Sequence, residues 1–234
     1  MSDNMVIVAL DYSDPAQALQ FVNKVSPQRC ALKVGFELFL SGGPVLVETL
    51  VNQGFKVFLD LKFHDIPNTV AQACTAAARM GVWMMNLHAS GGMEMMAAAR
   101  DALENVSSQT RPRLIAVTVL TSMGNEGLNS IGINDEVTTV VKQWALAAQE
   151  AKLDGVVCSA QESSMIRNAT NDEFLIVTPG IRMPNDDVND QKRIVTPEVA
   201  RAHGSTHIVV GRPITKADNP SEALETFCTA FSSA

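Results

Sequence analysis

The sequence is poor in the cysteine patterns that mark disulfide-bonded and zinc-binding proteins. It has four cysteines in 234 residues, far apart and without a CxxC pair: Cys30, Cys74, Cys158 and Cys228. Since there is also no Cys/His cluster of zinc type, neither a disulfide framework nor a metal site is indicated. We therefore expect buried, reduced thiols of the kind found in cytoplasmic proteins, and no bound metal.

Long apolar runs and an excess of positive charge are also absent. No apolar stretch approaches the ~20 residues of a membrane-spanning helix. No basic segment precedes the short apolar run that ends before Asp11, so we expect no signal peptide. The formal net charge of -7 argues against nucleic acid or an anionic membrane as the main partner, although a few basic residues could still bind a small anionic substrate. These features predict a cytoplasmic protein.

The chain has neither a Pro/Gly/Ser-rich linker nor a GxGxxG motif after its first apolar run. What it has is a regular alternation of short apolar runs with amphipathic stretches. The runs predict eight parallel strands buried on both faces: Val6–Leu10, Ala31–Val34, Phe55–Leu61, Trp83–Leu87, Leu114–Leu120, Gly155–Cys158, Phe174–Val177 and His207–Val210. Eight such units predict an α/β fold, a (β/α)₈ barrel in a single domain over residues 1–234. An open doubly wound sheet is the alternative.

Helix starts and irregular stretches complete this prediction. Asp14-Pro15, Thr196-Pro197 and Asn219-Pro220 each place a capping side chain before a proline at the first helical position. Two stretches, Ser122–Asp135 and Arg182–Arg193, are too polar and too rich in Gly, Asn and Asp for regular elements. In a barrel they follow strands five and seven, on the face that carries active sites and mobile lids.

Three charged residues stand at the end of the third predicted strand, in the segment Asp60-Leu61-Lys62-Phe63-His64-Asp65. Residues two apart on a strand share a face, so Asp60 and Lys62 are expected to project together. Such a cluster costs desolvation free energy and perturbs pKa values. A structural ion pair would explain one Asp–Lys pair, but three charges in six residues favour catalysis.

Polar residues also follow the other predicted strands, and barrel geometry would bring all of them to one rim. They are Asp11, Lys33, His88, Thr121, Ser122, Arg182 and the Gly211-Arg212 pair. Each has a structural explanation when taken alone, but random placement explains the whole set poorly. Phosphate sites in such barrels are often built after strands seven and eight, where Gly211 offers its backbone N–H and Arg212 a charge-assisted contact.

The segment from Asp60 to Thr69 reads Asp-x-Lys-x-x-Asp-Ile-Pro-x-Thr. Further motifs follow in order: Ala9-Leu10-Asp11, Leu32-Lys33-Val34-Gly35, Leu87-His88-Ala89-Ser90-Gly91-Gly92, Val117-Thr118-Val119-Leu120-Thr121-Ser122, Thr178-Pro179-Gly180-Ile181-Arg182, Asp190-Gln191-Lys192-Arg193 and Val210-Gly211-Arg212-Pro213-Ile214. In order and spacing they resemble the compact bacterial form of the orotidine 5'-phosphate decarboxylase family over the whole chain. Sugar-phosphate enzymes share Asp-x-Lys-x-x-Asp, whereas Pro67-x-Thr69, Thr121-Ser122 and Gln191 make the combination specific.

The resemblance implies decarboxylation of orotidine 5'-monophosphate to UMP, the last step of de novo pyrimidine synthesis, without metal or organic cofactor. It implies that Lys62 is the proton donor to pyrimidine C6 and that Asp60 lies beside the departing carboxylate. Lys33 and Asp65 complete a Lys–Asp–Lys–Asp array. The resemblance also implies a homodimer with shared sites, in which Asp65 comes from the other subunit.

The remaining site residues are implied to hold the substrate. Asp11, Lys33 and Thr69 are placed near the ribose, and Ser122 and Thr121 near the pyrimidine. Three residues are placed at the phosphate, with Arg182 on the same loop: Gln191, Gly211 and Arg212. Two other readings stay open. One is a metal-dependent sugar-phosphate decarboxylase or aldolase-type synthase on the same barrel, and the other is a catalytically silent barrel that binds a phosphate ligand.

Overall fold

Eight parallel strands alternate with helices and close into a barrel in the computed structural model, which describes residues 5–104, 106, 111–184 and 194–232. Each strand pairs with the next along the chain, and the last pairs with the first. The strands are β1 Met5–Ala9, β2 Ala31–Val34, β3 Val57–Phe63, β4 Met84–His88, β5 Arg113–Val117, β6 Gly155–Val157, β7 Leu175–Thr178 and β8 His207–Val210. The predicted (β/α)₈ barrel is confirmed.

Alternate residues of the strands pack into two separate apolar layers. One layer lies among the strands themselves and includes Ile7, Phe58, Met84 and Ile115. The other lies between strands and helices and includes Val8 together with side chains of the helices. Both faces of each strand are therefore buried, which explains why the strand sequences are continuously apolar rather than alternating.

The helices cover the outside of the barrel: α1 Pro15–Val22, α2 Phe36–Asn52, α3 Pro67–Arg79, α4 Gly92–Glu104, α5 Asn125–Ser130, α6 Val137–Glu150, α7 Ser163–Ala169, α8 Pro197–Ala202, α9 Arg212–Thr215 and α10 Pro220–Ser232. A 3₁₀ turn at Ala89–Gly91 precedes α4. α2 is broken at Gly43, whose φ of 59° leaves the helical region just before Pro44. The predicted caps form, since Asp14 accepts from the Ala16 N–H at 2.9 Å and Thr196 from the Val199 N–H at 3.4 Å.

Three predictions about regular elements need correction. The fifth strand is Arg113–Val117 instead of Leu114–Leu120, because the chain leaves the sheet after Val117 and its next apolar residues, Val119 and Leu120, line a cavity. The third strand runs from Val57 to Phe63 instead of Phe55–Leu61, because its charged residues stay within the barrel wall. The polar stretch Ser122–Asp135 was expected to hold no regular element, yet it contains α5. A helix this short needs no apolar period: the single side chain of Leu128 is fully buried and anchors it, while its polar residues face solvent.

The cysteines and the hydropathy of the helices agree with the sequence analysis where the structure describes them. All four cysteines are free thiols; three are buried and Cys228 is half-buried. Burial raises the pKa of both Cys30 and Cys74 to about 12, so these thiols are inert at neutral pH. Over the described residues, every helix is too short or too polar to cross a membrane.

Candidate active site

A chain of alternating charges lies where β1, β2 and β3 end. The Lys62 Nζ is 2.7 Å from Asp60 Oδ1, and the Lys33 Nζ is 3.3 Å from Asp60 Oδ2. Lys33 Nζ also lies 3.5 Å from Oδ1 of Asp11, which follows β1. The structure therefore brings four of the predicted residues into one row, with the Asp60 carboxylate bridging two ammonium groups.

An irregularity in β3 determines the position of Lys62. Leu59 pairs with Met85 of β4 and Phe63 with Leu87, so three residues of β3 stand opposite one residue of β4, which is Asn86. Such a bulge re-aims side chains at the edge of a site. Within it Lys62 adopts φ of 46°, the left-handed region that side chains other than glycine seldom occupy.

Asn86 fills the gap that the bulge leaves. Its Nδ2 donates to Asp60 Oδ1 at 2.7 Å, and its Oδ1 accepts from the Lys62 backbone N–H at 2.7 Å. Sequence reasoning missed this residue. The available signal was a polar amide inside the otherwise apolar run Met84–Leu87, since buried polar groups in strands require partners.

The surroundings of Asp60 favour its ionised form. Burial raises the pKa of this carboxyl group, but the ammonium groups of Lys33 and Lys62 and the hydrogen bonds from Lys62 and Asn86 outweigh that effect and hold the pKa below its ordinary value. Asp60 is therefore a carboxylate at neutral pH.

His88 ends β4 close to the charged row, as its position in the sequence predicted. Its ring centroid lies 5.7 Å from that of His64. Burial, followed by the charges of His64 and Lys62, lowers the pKa of His88 against the opposing effect of Asp60. The imidazole is therefore neutral near pH 7 and adds no positive charge beside the lysines.

A pocket opens beside the charged row, with about 580 Å³ of empty space that includes its open mouth. Lys33, Asp60 and Lys62 line one side of it. The other side is mostly apolar and comes from five strands or their ends: Phe58, Val117, Val119, Leu120, Thr121, Val157, Cys158, Pro179 and Val209. A ligand here would meet two ammonium groups, a carboxylate and a mostly apolar lining, an arrangement suited to a partly apolar molecule that carries negative charge.

The predicted residues after β8 and β5 lie around this pocket. A Cβ placed on Gly211 would stand 3.0 Å from Asp11 Oδ2, so the end of β8 approaches the charged row closely. Arg212 begins α9 and is exposed. Thr121 lines the pocket, whereas the next residue, Ser122, is exposed and does not line it.

The structure describes the loop after β7 at its two ends only, and Arg182 lies at the first of these ends. Arg182 is buried, and its guanidinium donates to the Ile181 carbonyl at 2.8 Å. Its backbone N–H donates to the Val195 carbonyl, which ties the two ends of the loop together. Gln191 lies outside the described residues, as does most of the stretch Arg182–Arg193.

Asp65 is not part of the charged row within this chain. It is exposed, and its Oδ1 accepts from the neighbouring Ile66 N–H at 2.7 Å. Among the residues that the structure describes, no ion pair includes Asp65. Thr69, in the first turn of α3, is exposed as well.

Several large apolar side chains are exposed on α2 and just before α3. The exposed fraction is 67% for Ile66, 83% for Leu40 and 73% for Val45. Phe36, which begins α2, is also exposed, and its ring centroid lies 5.3 Å from Lys62 Nζ. Phe36 beside Lys62 and Ile66 beside Asp65 thus place exposed apolar side chains next to predicted site residues, and α2 carries two more, Leu40 and Val45.

Comparisons with known proteins agree over almost the whole chain. The sequence model of the family described as "Orotidine 5'-phosphate decarboxylase / HUMPS family" matches residues 4–227. The orotidine 5'-phosphate decarboxylase of Aliivibrio fischeri (strain MJ11) is 55% identical over 96% of this chain and 95% of its own length. That of Nitrosomonas eutropha is 50% identical over 97% and 96%. The crystal structure of the Lactobacillus acidophilus orotidine 5'-phosphate decarboxylase superposes with a TM-score of 0.88 at 39% identity, covering 98% of this chain and 99% of that one.

Proposed function

The chain belongs to the orotidine 5'-phosphate decarboxylase / HUMPS family and is a decarboxylase, a carbon–carbon lyase; on that premise we propose that it converts orotidine 5'-monophosphate to UMP and CO₂ with Lys62 as the proton donor. The proposal includes the final step of de novo pyrimidine synthesis, a cytoplasmic location and independence of metal and organic cofactors. The observation that carries it is the Lys62–Asp60 pair, 2.7 Å apart at the edge of a mostly apolar pocket.

The chemistry requires a positive charge near the reacting carbon. When the bond between C6 and the carboxylate breaks, CO₂ leaves and the electron pair stays on C6, where no adjacent carbonyl delocalises it. The Lys62 ammonium stabilises this developing charge and then transfers a proton to C6, acting both electrostatically and as a general acid. The neutral amine regains its proton from water.

Asp60 has two effects in this scheme. Its negative charge orients the Lys62 ammonium through the 2.7 Å contact. Its carboxylate also stands where the substrate carboxylate would approach, and repulsion between the two groups is relieved as CO₂ departs. The depressed pKa of Asp60 keeps this charge in place at neutral pH.

The other rim residues are proposed to hold the substrate. Asp11, Lys33 and Thr69 bind the ribose hydroxyls, and Thr121 and Ser122 bind the pyrimidine, which lies against the apolar lining of the pocket. Gln191, Gly211 and Arg212 bind the phosphate, and Arg182 belongs to the same loop. The approach of Gly211 to Asp11 supports a continuous substrate path from the phosphate to the charged row.

We also propose that the active form is a homodimer in which Asp65 of one subunit completes the Lys33–Asp60–Lys62 row of the other. The exposure of Asp65 supports this, together with the absence of an ion pair to it within the described part of the chain. The exposed side chains of Phe36, beside Lys62, and Ile66, beside Asp65, support a second copy as the partner, because interface cores are depleted of charge and rich in apolar side chains.

A spectrophotometric assay of orotidine 5'-monophosphate loss, run with and without a chelator, tests the activity. We expect turnover that the chelator leaves unchanged. Loss of activity with the chelator would favour the metal-dependent sugar-phosphate chemistry of relatives on the same barrel. Binding of the substrate without turnover would favour a silent phosphate-binding barrel.

Mixing two inactive variants tests the shared site. Lys62→Ala and Asp65→Ala proteins, unfolded and refolded together, should recover about a quarter of wild-type activity, because half of the dimers are mixed and each has one intact site of two. If Asp65 acted within its own chain, no mixed dimer would have an intact site and the mixture would stay inactive.

A further inference from the structure

The amide of Asn86 contacts both members of the Lys62–Asp60 pair. It donates to the Asp60 carboxylate and accepts from the Lys62 backbone N–H, each at 2.7 Å. Its side chain is 1% exposed, so water has no access that would let it replace either bond. The reversed amide orientation would set donor against donor and acceptor against acceptor, so the two neighbours define the orientation of the amide.

These two hydrogen bonds hold the Lys62 backbone and the Asp60 carboxylate, which together determine where the Lys62 ammonium lies. The Lys62 backbone occupies the left-handed region, which persists only where the surroundings impose it. The bulge leaves Asn86 alone opposite Asp60, Leu61 and Lys62, so its side chain supplies the acceptor that the Lys62 N–H uses. The bond to Asp60 fixes the carboxylate oxygen that also holds the Lys62 ammonium.

We propose that Asn86 is a positioning residue for the decarboxylation. By holding the Lys62 main chain and the Asp60 carboxylate together, Asn86 places the Lys62 ammonium within reach of the reacting carbon. This inference rests on the proposed function. An amide is the suitable group here because it carries one donor and one acceptor on a short side chain. Aspartate would place two acceptors beside Asp60, and leucine of similar size would offer neither.

The test is steady-state kinetics of Asn86→Leu and Asn86→Ala with orotidine 5'-monophosphate. We expect kcat to fall about 100-fold, since misplacement of a reacting group by about 1 Å has an effect of this size. KM should change less than about threefold, because the proposed ribose and phosphate contacts do not involve Asn86. This split between kcat and KM separates a positioning role from a general loss of structure.

Thr206→Val is the matched control. The Thr206 hydroxyl is buried just before β8, where it accepts from the Ile176 N–H at 2.9 Å and donates to the Ile176 carbonyl at 3.1 Å. Like Asn86 it joins two neighbouring strands through buried hydrogen bonds, but at the opposite end of the barrel, and its hydroxyl also lies 2.9 Å from His207 Nδ1. We expect Thr206→Val to lower the melting temperature while its kcat stays within about twofold of the wild-type value.

Each outcome decides for or against the proposal. Wild-type kcat in Asn86→Leu would overturn it while leaving the proposed function intact, and so would a loss of kcat that Thr206→Val shares. A wild-type protein without turnover would overturn both. Should neither Asn86 variant fold, amide hydrogen exchange of the wild-type protein decides: a protected Lys62 N–H supports the proposal, and exchange at the rate of an exposed amide overturns it.

Discussion

Two ion pairs of this barrel are equally shielded from water and have different surroundings. The side chains of Asp60 and Lys62, at the end that carries the pocket, are 12% and 25% exposed. Those of Asp154 and Arg111, at the opposite end, are 12% and 26% exposed. Burial and charge therefore do not distinguish the two pairs.

The partners of each carboxylate do distinguish them. Asp154 accepts two N–H groups of the Arg111 guanidinium, at 2.8 and 2.6 Å, and the Leu114 backbone N–H at 2.7 Å. This bidentate geometry matches guanidinium to carboxylate and ties the starts of β5 and β6 together. Asp60 instead lies between two ammonium groups that also line a pocket. Arg111 also lines a cavity, at its own end of the barrel, but two of its N–H groups are committed to one carboxylate. The pair at the charged row differs because two ammonium groups share a single carboxylate beside a mostly apolar pocket, and this arrangement makes it the candidate for catalysis.

The largest effect is expected from Lys62→Ala, which tests whether the pair at the pocket is catalytic. We predict a fall in kcat of at least about 10⁴-fold, because the substitution removes electrostatic stabilisation and a general acid, each worth about 10²-fold or more. KM should change little. Turnover near the wild-type rate in the spectrophotometric assay would show that this pair is structural, like the one at the opposite end.

Arg212→Ala tests whether the substrate-binding residues extend beyond the charged row to the start of α9. We expect kcat/KM for orotidine 5'-monophosphate to fall by about 10- to 100-fold, the size of one charge-assisted hydrogen bond. Part of the loss should appear in kcat, since binding energy from a remote phosphate can support the chemical step. Unchanged kinetics would remove Arg212 from the site. Arg201→Ala, at the end of α8, serves as a control for the loss of a surface charge.

Asp154→Ala should lower the stability of the protein and leave its activity almost unchanged. Removing this carboxylate takes the bidentate partner from Arg111, which keeps the Pro112 carbonyl and a 3.5 Å contact with Glu104. It also leaves the Leu114 N–H without its acceptor. We therefore expect the free energy of unfolding to fall by about 3 kcal/mol. The kcat should stay within about twofold of wild type, because the pair lies at the end of the barrel away from the pocket. Urea unfolding and the activity assay on the same sample provide both values, and a large loss of kcat would contradict the comparison.

The smallest effect is a pH dependence of stability at Asp60. Because the folded-state pKa of Asp60 is lowered, its ionised form stabilises the fold above the unfolded-state pKa of about 3.9, and this contribution is lost as the pH falls through the lower folded-state value. The difference in unfolding free energy between wild type and Asp60→Asn should therefore be constant above about pH 5 and shift against the wild type below about pH 4. A difference that is independent of pH would contradict the lowered pKa.

The strands were predicted well where the local sequence determines them. Ala31–Val34 and His207–Val210 match β2 and β8 residue for residue, and each is a short run that a glycine follows directly. The position of the charged row followed from the same pattern, because parallel strands bring their carboxyl ends to one rim. Barrel closure and the four members of the row, Asp11, Lys33, Asp60 and Lys62, could therefore be predicted from the sequence alone.

What the sequence could not show depends on the neighbouring strand. Periodicity predicted that Asp60 and Lys62 share a face, but it could not reveal that β3 places three residues against one of β4, because both strands determine that count. The role of Asn86 is hidden for the same reason. The direction of Asp65 also escaped local reasoning: it lies five residues from Asp60, but the chain turns into α3 and carries its side chain to the exposed surface.

The left-handed backbone at Lys62 implies a trade-off between stability and activity. A non-glycine residue in this conformation costs about 1–2 kcal/mol, which the barrel gives up in every folded molecule to aim one side chain. Lys62→Gly relieves the strain and Lys62→Ala retains it, although both lose the ammonium. The glycine variant should therefore be about 1 kcal/mol more stable than the alanine variant in urea unfolding. At Lys62 the chain therefore accepts a backbone conformation that glycine would adopt without strain, and in return it presents an ammonium group to Asp60 and to the pocket.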